Sequence, residues 1–254
     1  MSALAEDLAA ALDPVRFGRR LGFEPEDWQA GLLRTVAARV LVRCARQTGK
    51  TTTVGVKALH VAMHNPGRDV LIVSPTQRQS GELLTRVRAH YRALSGAPKL
   101  TADNESQMTL ANGSRVVSLP GSEGGIRGFA NVRLLILDEA SRIEDDVFAS
   151  CLPMVGSDGQ VMALSTPWGA RGWWWELHEK PASGWQQHSV TCYESAQYTP
   201  ARIAEVRASL GSFVFASDYE VSFTDTEQQL FGTDAVRRAF TTTVTPLFPL
   251  GAHA

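Results

Sequence analysis

One polar segment of the sequence has the residue types and spacing of a phosphate-binding loop. Residues 44–51 read CARQTGKT and lie between a β-branched apolar run and a segment with helical periodicity. Backbone N–H groups at the start of such a helix bind phosphate oxygens, a lysine adds positive charge, and a threonine hydroxyl coordinates Mg²⁺. Cys44 departs from the pattern, because glycine is usual at that position. The residues predicted to bind the phosphates of a nucleotide are Gln47, Thr48, Gly49, Lys50, Thr51 and Thr52, with Lys50 also catalytic and Thr51 also a metal ligand.

An acidic pair, Asp138 and Glu139, directly follows the apolar run Leu134–Leu137. Two adjacent carboxylates at the end of a buried strand are costly unless a cation offsets their charge. We therefore predict that Asp138 coordinates Mg²⁺ and that Glu139 polarises and orients an attacking water. The alternative is a solvated acidic turn before a helix that begins near Asp145.

Two hydroxyl residues, Ser165 and Thr166, follow the next predicted strand, Val161–Leu164, and precede a proline. They could bond a γ-phosphate or the attacking water together with a moving element, although a simple turn before proline uses the same residues. The carboxyl ends of parallel strands meet at one edge of a sheet, so we expect Cys44, Asp138 and Ser165 to converge on one site.

An arginine, Arg127, lies in the glycine-rich loop Gly124–Gly128, eleven positions before Asp138. Arginine is suited to spreading the charge that develops on a transferred phosphoryl group, and this residue could act on the ATP of a neighbouring subunit. Arg127 is therefore a catalytic candidate, and an exposed loop arginine is the alternative.

An aromatic residue and an amide, Trp28 and Gln29, precede the first predicted strand. The Gln29 amide could read the edge of an adenine, and the Trp28 ring could stack on the base or support its pocket. A tryptophan that simply belongs to the core is the alternative.

The elements that must position these residues alternate between strands and helices. Strands are predicted at Arg39–Cys44, Asp69–Ser74, Leu134–Leu137, Val161–Leu164 and Gln186–Val190, with a hairpin at Gln107–Leu119 turned by Asn112-Gly113. Helices are predicted at Ala3–Leu12, Trp28–Ala38, Thr51–His64, Gln77–Leu94 and Pro200–Leu210. The predicted fold class is α/β, a P-loop NTPase of the RecA-like (ASCE) type with a mostly parallel sheet flanked by helices and a small C-terminal lid subdomain.

The predicted domain organisation has three parts. Residues 1–184 form the P-loop core with its N-terminal helices, residues 185–240 form a lid or linker subdomain, and residues 241–254 form a flexible tail.

Composition excludes several classes of protein. Among 254 residues the formal net charge is -1, so no global field draws the chain to nucleic acid or to an anionic membrane. The three cysteines are far apart and lack the spacing of a zinc site or a disulfide framework, which favours a reducing cytosol. No apolar run approaches about 18 residues and the N-terminus lacks a basic region, so neither a membrane span nor a signal peptide is expected.

In the order of its phosphate-loop, acidic and hydroxyl motifs, the chain resembles the ATPase domain of the large terminase subunit of tailed bacteriophages. The segments that carry the resemblance are Arg46–Thr51, Ser74–Thr76, Ile126–Gly128, Leu137–Glu139 and Ser165–Pro167. The resemblance implies that Arg46 senses the γ-phosphate as a catalytic residue and that Arg127 is an arginine finger donated to a neighbouring subunit. It also implies that Ser165 and Thr166 couple hydrolysis to movement and that Trp28 and Gln29 lie beside the adenine.

The resemblance further implies the cofactors, partners and place of action. The cofactors are ATP and Mg²⁺, and the partners are double-stranded DNA, a ring of identical subunits expected to be a pentamer, the portal protein and a small terminase subunit. The implied place is the host cytoplasm, at the procapsid portal. The function implied is ATP hydrolysis that powers DNA translocation into the procapsid.

Large terminases also carry a C-terminal nuclease, and Tyr219–Phe231 looks like the bridge into it. From Gly232 onward Asp234 is the only acid, so a two-metal nuclease site is not expected in this sequence. Two other functions remain open: a superfamily-two helicase-like ATPase, which needs a second RecA-like domain, and a nucleotide-gated binding module that does not hydrolyse ATP.

Overall fold

The computed structural model describes residues 3–121, 128–180, 184–223 and residue 239, and its centre is one eight-stranded sheet. The strand order is β3-β4-β5-β2-β6-β7-β1-β8. The strands are β1 (Arg39–Cys44), β2 (Asp69–Ser74), β3 (Leu100–Asn104), β4 (Gln107–Leu110), β5 (Arg115–Pro120), β6 (Val132–Asp138), β7 (Val155–Ser165) and β8 (Gln186–Val190).

Six neighbouring strands, from β5 across to β8, run parallel. The predicted hairpin is present, because β4 pairs antiparallel with β5, and β3 extends it by one further strand that the sequence did not indicate. The mostly parallel α/β architecture is thus confirmed.

The helices of the described residues cover both faces of the sheet. They are α1 (Ala3–Leu12), α2 (Pro14–Arg20), α3 (Asp27–Arg34), α4 (Lys50–His64), α5 (Gln77–Ala93), α6 (Asp145–Cys151), α7 (Gly172–Glu179), α8 (Pro200–Ser209) and α9 (Ser212–Asp218). Along β2, alternate residues contribute to different cores: Ile72 packs with the residues of α1 to α5, and Leu71 packs with α6 and α7. Such strands are apolar on both faces, which is why their sequence shows no polar alternation.

The helix predicted over Trp28–Ala38 ends early, at Arg34. The ammonium of Lys57, on α4, donates to the carbonyl oxygens of Leu33 (2.7 Å) and Thr35 (3.3 Å) and so caps the helix end. The Gln160 amide donates to the carbonyl oxygen of Ala37 at 2.7 Å, which holds the chain extended before β1. Tertiary contacts therefore end this helix, although the apolar spacing continues.

The predicted lid subdomain, residues 185–240, begins with a strand that belongs to the main sheet. Strand β8 pairs parallel with β1 in register from Val40 to Cys44. Beyond it, a small separate core brings Cys192, Tyr198, Phe215 and Val221 together around Ala45 of the P-loop. The small core of this appended unit therefore begins after Val190. The predicted division of the chain stays a prediction, and residues 224–238 and 240–254 lie outside the described residues.

Candidate nucleotide-binding site

The predicted phosphate-binding loop connects β1 to the N-terminus of α4. Gly49 is the residue before the helix and has φ +88°, a conformation that glycine adopts without strain. A Cβ there would lie 2.8 Å from Nε2 of Gln29, so a side chain would displace the Gln29 amide. The first N–H groups of a helix have no helical acceptor and point out of its end. This loop can therefore present N–H groups to an anion.

The register of the sheet confirms that the three strand ends converge. Asp138 of β6 is paired with Leu164 of β7, and Leu164 is paired with Val42 of β1. The residues that follow these positions consequently leave the sheet at the same edge. A cleft of about 810 Å³ lies beside this edge, lined by Thr51 and Thr52 on one side and by α5 on the other.

Lys50 and Glu139 form an ion pair across this edge, with Nζ 2.9 Å from Oε1. Burial alone would lower the pKa of Lys50, but its electrostatic interactions, among them those with the Glu139 and Asp138 carboxylates, raise it above its ordinary value. The ammonium therefore stays charged at neutral pH. Glu139 has φ +53°, which is unusual for a residue with a side chain, and it starts the 3₁₀ turn Ala140–Arg142.

Asp138 is buried, and its Oδ1 has no hydrogen-bond partner among the residues that the structure describes. Burial raises the pKa of this carboxyl to about 6; Lys50 opposes the shift and Glu139 adds to it. A buried carboxylate oxygen without a donor is an expensive arrangement unless it serves a cation. Oxygen ligands of this kind, with the Thr51 hydroxyl, suit Mg²⁺ held together with phosphate oxygens.

The hydroxyl residues after β7 lie beside the acidic pair. Oγ of Ser165 is 2.7 Å from Oγ of Ser141, which is two residues after Glu139. Both Ser165 and Thr166 are buried. A contact therefore joins the turn that carries Glu139 to the end of β7, and sequence reasoning missed its Ser141 partner.

Gln29 contacts the phosphate-binding loop through its amide. Its Nε2 donates to the carbonyl oxygen of Thr48 at 3.1 Å, and its Oε1 accepts from the N–H of Glu26 at 2.9 Å. The Trp28 indole donates to the Glu26 carboxylate at 2.8 Å, and its ring packs partly buried against the core of α1 to α5. Gln29 thus holds the phosphate-binding loop through the Thr48 carbonyl oxygen.

The family model described as "Terminase large subunit, T4likevirus-type, N-terminal" matches residues 42–238 of this chain. The chain belongs to this terminase family. The match begins inside β1 and includes the phosphate-binding loop, the acidic pair and the hydroxyl residues after β7.

Two curated relatives of this terminase chain are large terminase subunits of Thermus phages. The protein of Thermus phage G20c is 26% identical over 183 residues, and that of Thermus virus P23-45 is 25% identical over 183 residues. Each alignment covers 64% of this chain and 37% of the relative. The terminase chain therefore spans little more than a third of the length of these relatives.

Solved structures of terminases share the fold. The ATPase domain of the Thermus phage P74-26 large terminase matches with a TM-score of 0.71 at 20% identity, covering 82% of this chain and 98% of that one. The large terminase of the thermophilic bacteriophage D6E in complex with ADP matches with a TM-score of 0.65 at 10% identity, over 78% of this chain and 54% of that one. These likenesses show that the chain shares the fold of terminase ATPase domains.

Residues of the appended unit form hydrogen bonds to Arg46 and Gln47, at the start of the terminase P-loop. The sequence did not indicate these residues. Asp218 accepts from the Arg46 side chain at 2.6 Å, and the Tyr198 hydroxyl donates to the Arg46 carbonyl oxygen at 2.7 Å. Arg202 donates to the Gln47 side chain at 2.6 Å. These partners are more than 150 residues away from the loop, and no local pattern marks them. Of the predicted site residues, Arg127 lies outside the described residues.

No helix among the described residues combines the length and apolar character needed to cross a membrane.

Proposed function

We propose that this chain is the ATP-hydrolysing motor domain of a large terminase and that its hydrolysis drives double-stranded DNA into a viral procapsid. The observation that carries the proposal is the meeting of Lys50, Asp138 and Glu139 at one edge of the sheet, with Lys50 Nζ 2.9 Å from Glu139 Oε1. Two of the solved D6E terminase structures of similar fold are complexes with ADP and ATP-gamma-S.

The roles of the binding residues follow from their places. Backbone N–H groups between Gln47 and Thr52 bind the β- and γ-phosphates, and Lys50 exchanges Glu139 for a phosphate oxygen. Trp28 and Gln29 are proposed to contact the adenine, and Gln29 also donates to the Thr48 carbonyl oxygen.

The carboxylates divide the remaining work. Asp138 and Thr51 would hold Mg²⁺, which neutralises phosphate charge when it is bound. Glu139, released from Lys50, accepts a hydrogen bond from the attacking water and orients it toward the γ-phosphorus. Arg46 and Arg127 offset the negative charge of the transferred group, Arg127 on the ATP of a neighbouring subunit.

Ser165 and Thr166 are proposed to transmit the state of the nucleotide to the rest of the motor. The Ser165 hydroxyl is hydrogen-bonded to the Ser141 hydroxyl. A movement of the turn that carries Glu139 would therefore displace the segment after β7.

The proposed assembly consists of a pentameric ring of these chains on the portal protein, with a small terminase subunit and double-stranded DNA, in the host cytoplasm. Family membership supports this assembly. Because the formal net charge is -1, DNA would be bound by local surfaces of the ring and not by a basic domain.

The alternatives are less well supported. A helicase of superfamily two closes its cleft with a second RecA-like domain, and in residues 184–223 the structure describes a single strand, which joins the first sheet. A binding module without hydrolysis would have no use for a glutamate held beside the lysine of the phosphate loop.

Phosphate release from MgATP by the purified chain tests the proposal. We expect slow steady release that requires Mg²⁺. Tight ATP binding without any release would favour the binding module, and no ATP binding would refute the proposal.

A further inference from the structure

A second buried polar atom lies on the strand next to Asp138. Ser74 is the last residue of β2 and is fully buried. Its Oγ, like Oδ1 of Asp138, has no hydrogen-bond partner among the residues that the structure describes. A buried hydroxyl without a partner costs free energy, and such atoms in native proteins often serve a bound water or an ion. Ser74 therefore qualifies for a role in the site, although the roles assigned to its neighbours do not involve it.

Ser74 and Asp138 occupy equivalent positions on adjacent parallel strands. Ile72 of β2 is paired with Ile136 of β6, and Ser74 and Asp138 each follow two positions later. Both isoleucines pack in the core formed with α1 to α5. Because side-chain direction repeats every two residues along a strand, the hydroxyl and the carboxylate point to that same face of the sheet.

The other proposed magnesium ligand, Thr51, belongs to this face as well. Helix α4, whose first turn contains Thr51, packs on the same core through Val54. The cleft of about 810 Å³ at the strand ends is lined by Thr51 and by Gln77, which is three residues after Ser74. Ser74 is thus part of the same group of elements that presents Asp138 and Thr51.

The backbone of Ser74 is held on both sides. Strand β2 lies between β5 and β6, and the N–H of Gly121 donates to the Ser74 carbonyl oxygen at 2.7 Å. A Cβ at Gly121 would lie only 3.1 Å from that oxygen, so glycine permits this close approach. The remaining freedom of the Ser74 side chain is rotation of its hydroxyl, which can turn to suit a ligand.

We propose that Ser74 is a positioning residue of the magnesium site, where its hydroxyl bonds a magnesium-bound water next to Asp138. This inference rests on the proposed function, in which Asp138 and Thr51 hold the ion. Mg²⁺ keeps several of its waters in protein sites, and residues outside the ligand set orient them. Neighbouring strands are about 4.8 Å apart, a separation that a water between two side chains bridges.

The test measures the dissociation constant of Mn²⁺, followed by electron paramagnetic resonance, in the complex of the full chain with a non-hydrolysable ATP analogue. Ser74→Ala should weaken Mn²⁺ binding by about tenfold, the usual effect of removing a residue that orients a metal ligand. Affinity for the ATP analogue in EDTA should stay the same, because the hydroxyl acts on the ion and not on the phosphates. Ser74→Thr, which keeps the hydroxyl, should restore the Mn²⁺ affinity.

Ser118→Ala is the matched control. Ser118 is also a buried strand serine, on the neighbouring β5, but its Oγ accepts a hydrogen bond from the Gln77 amide at 3.3 Å. Its loss should leave the Mn²⁺ affinity unchanged. Ser74→Ala placed on Asp138→Asn should have little further effect, because the ion contact on which the hydroxyl acts is already lost.

Several outcomes would overturn the inference while leaving the proposed function intact. They are an unchanged Mn²⁺ affinity in Ser74→Ala, an equal loss in Ser118→Ala, and a full effect of Ser74→Ala in the Asp138→Asn background. Failure of the unsubstituted chain to bind the ATP analogue would overturn both the inference and the proposed function.

Urea unfolding in EDTA distinguishes this role from a purely structural one. Ser74→Ala removes a buried hydroxyl that has no partner among the described residues, so the variant should be at least as stable as the unsubstituted chain. A lower urea midpoint together with unchanged Mn²⁺ affinity would assign Ser74 to the fold alone. If the alanine variant does not fold, Ser74→Cys, which replaces the hydroxyl by a weak donor, should show the same loss of Mn²⁺ affinity. Full affinity in that variant would contradict the proposal.

Discussion

Lys50 Nζ lies 2.9 Å from Glu139 Oε1, so the lysine of the phosphate loop and the glutamate after β6 form an ion pair in which each offsets the charge of the other. The same ammonium would supply the positive charge that binds a β- or γ-phosphate. Under the proposed function, phosphate binding removes Lys50 from Glu139 and so frees that carboxylate to orient the attacking water. The two residues form a simple link between occupancy of the loop and availability of the base.

Substitution of either member of this pair should stop turnover by different routes. Lys50→Ala removes the phosphate contact and should weaken ATP binding as well as hydrolysis, whereas Glu139→Gln should bind ATP normally and lose at least about 100-fold in kcat. Phosphate release and equilibrium binding measure the two effects. Lys180→Ala and Glu205→Gln, at exposed residues whose hydrogen bonds do not reach the phosphate loop or the acidic pair, serve as controls and should match the unsubstituted chain. Unchanged turnover in Glu139→Gln would remove its assignment.

Asp138→Asn should raise the free energy of unfolding of the chain when Mg²⁺ is chelated, and that free energy should no longer depend on Mg²⁺. Burial raises the pKa of Asp138 to about 6 from its ordinary value of 3.8. Between these values the folded chain retains the proton more strongly than the unfolded chain does, so the free energy of unfolding falls as pH rises through this window. The neutral amide avoids that loss, which is on the order of 3 kcal/mol.

Urea unfolding in EDTA at pH 4 and at pH 8 checks this expectation. The two proteins should be similar at pH 4, and Asp138→Asn should be more stable at pH 8. A less stable variant at pH 8 would mean that the carboxylate is satisfied without a cation.

Gly49→Ala should damage the phosphate loop. The position has φ +88°, and a Cβ would lie 2.8 Å from the Gln29 amide nitrogen. We expect a loss of at least about 1 kcal/mol in stability from the backbone conformation alone, together with weaker ATP binding. Gly31→Ala is the matched control, because Gly31 lies within α3 with no atom near its virtual Cβ, and alanine should stabilise that helix by about 0.5–1 kcal/mol. Equal behaviour of the two variants would refute the argument.

The contact between Ser141 and Ser165 should be visible in a double-mutant cycle. Oγ atoms 2.7 Å apart in a mostly buried setting should give a coupling energy of about 1 kcal/mol in unfolding measurements on the Ser→Ala variants. Both single variants should lower kcat with ATP affinity retained, because the contact joins the Glu139 turn to β7 and not to the nucleotide. Additive effects would show that the two hydroxyls act independently.

The structural features that could be predicted are those that short stretches of sequence determine. The strand Arg39–Cys44, the loop and the helix that follows, and the acid pair at the end of β6 follow from local periodicity and from a strand that is covered on both faces. The convergence of their ends follows from the rule for parallel sheets, and it is confirmed.

The parts that were missed depend on contacts between distant residues. The ion pair of Arg46 with Asp218 spans 172 positions, and neither residue lies in a pattern that refers to the other. The early end of α3 depends on Lys57, and the place of β8 depends on its pairing with β1. Local propensity carries no information about such partners, which are chosen by packing.

A crystal structure of the chain with Mg²⁺ and a non-hydrolysable ATP analogue tests the central claim most directly. We expect Lys50 Nζ to have left Glu139 for a phosphate oxygen, with Asp138 and Thr51 at the metal. Nucleotide bound at another surface, with Lys50 still bonded to Glu139, would contradict the account.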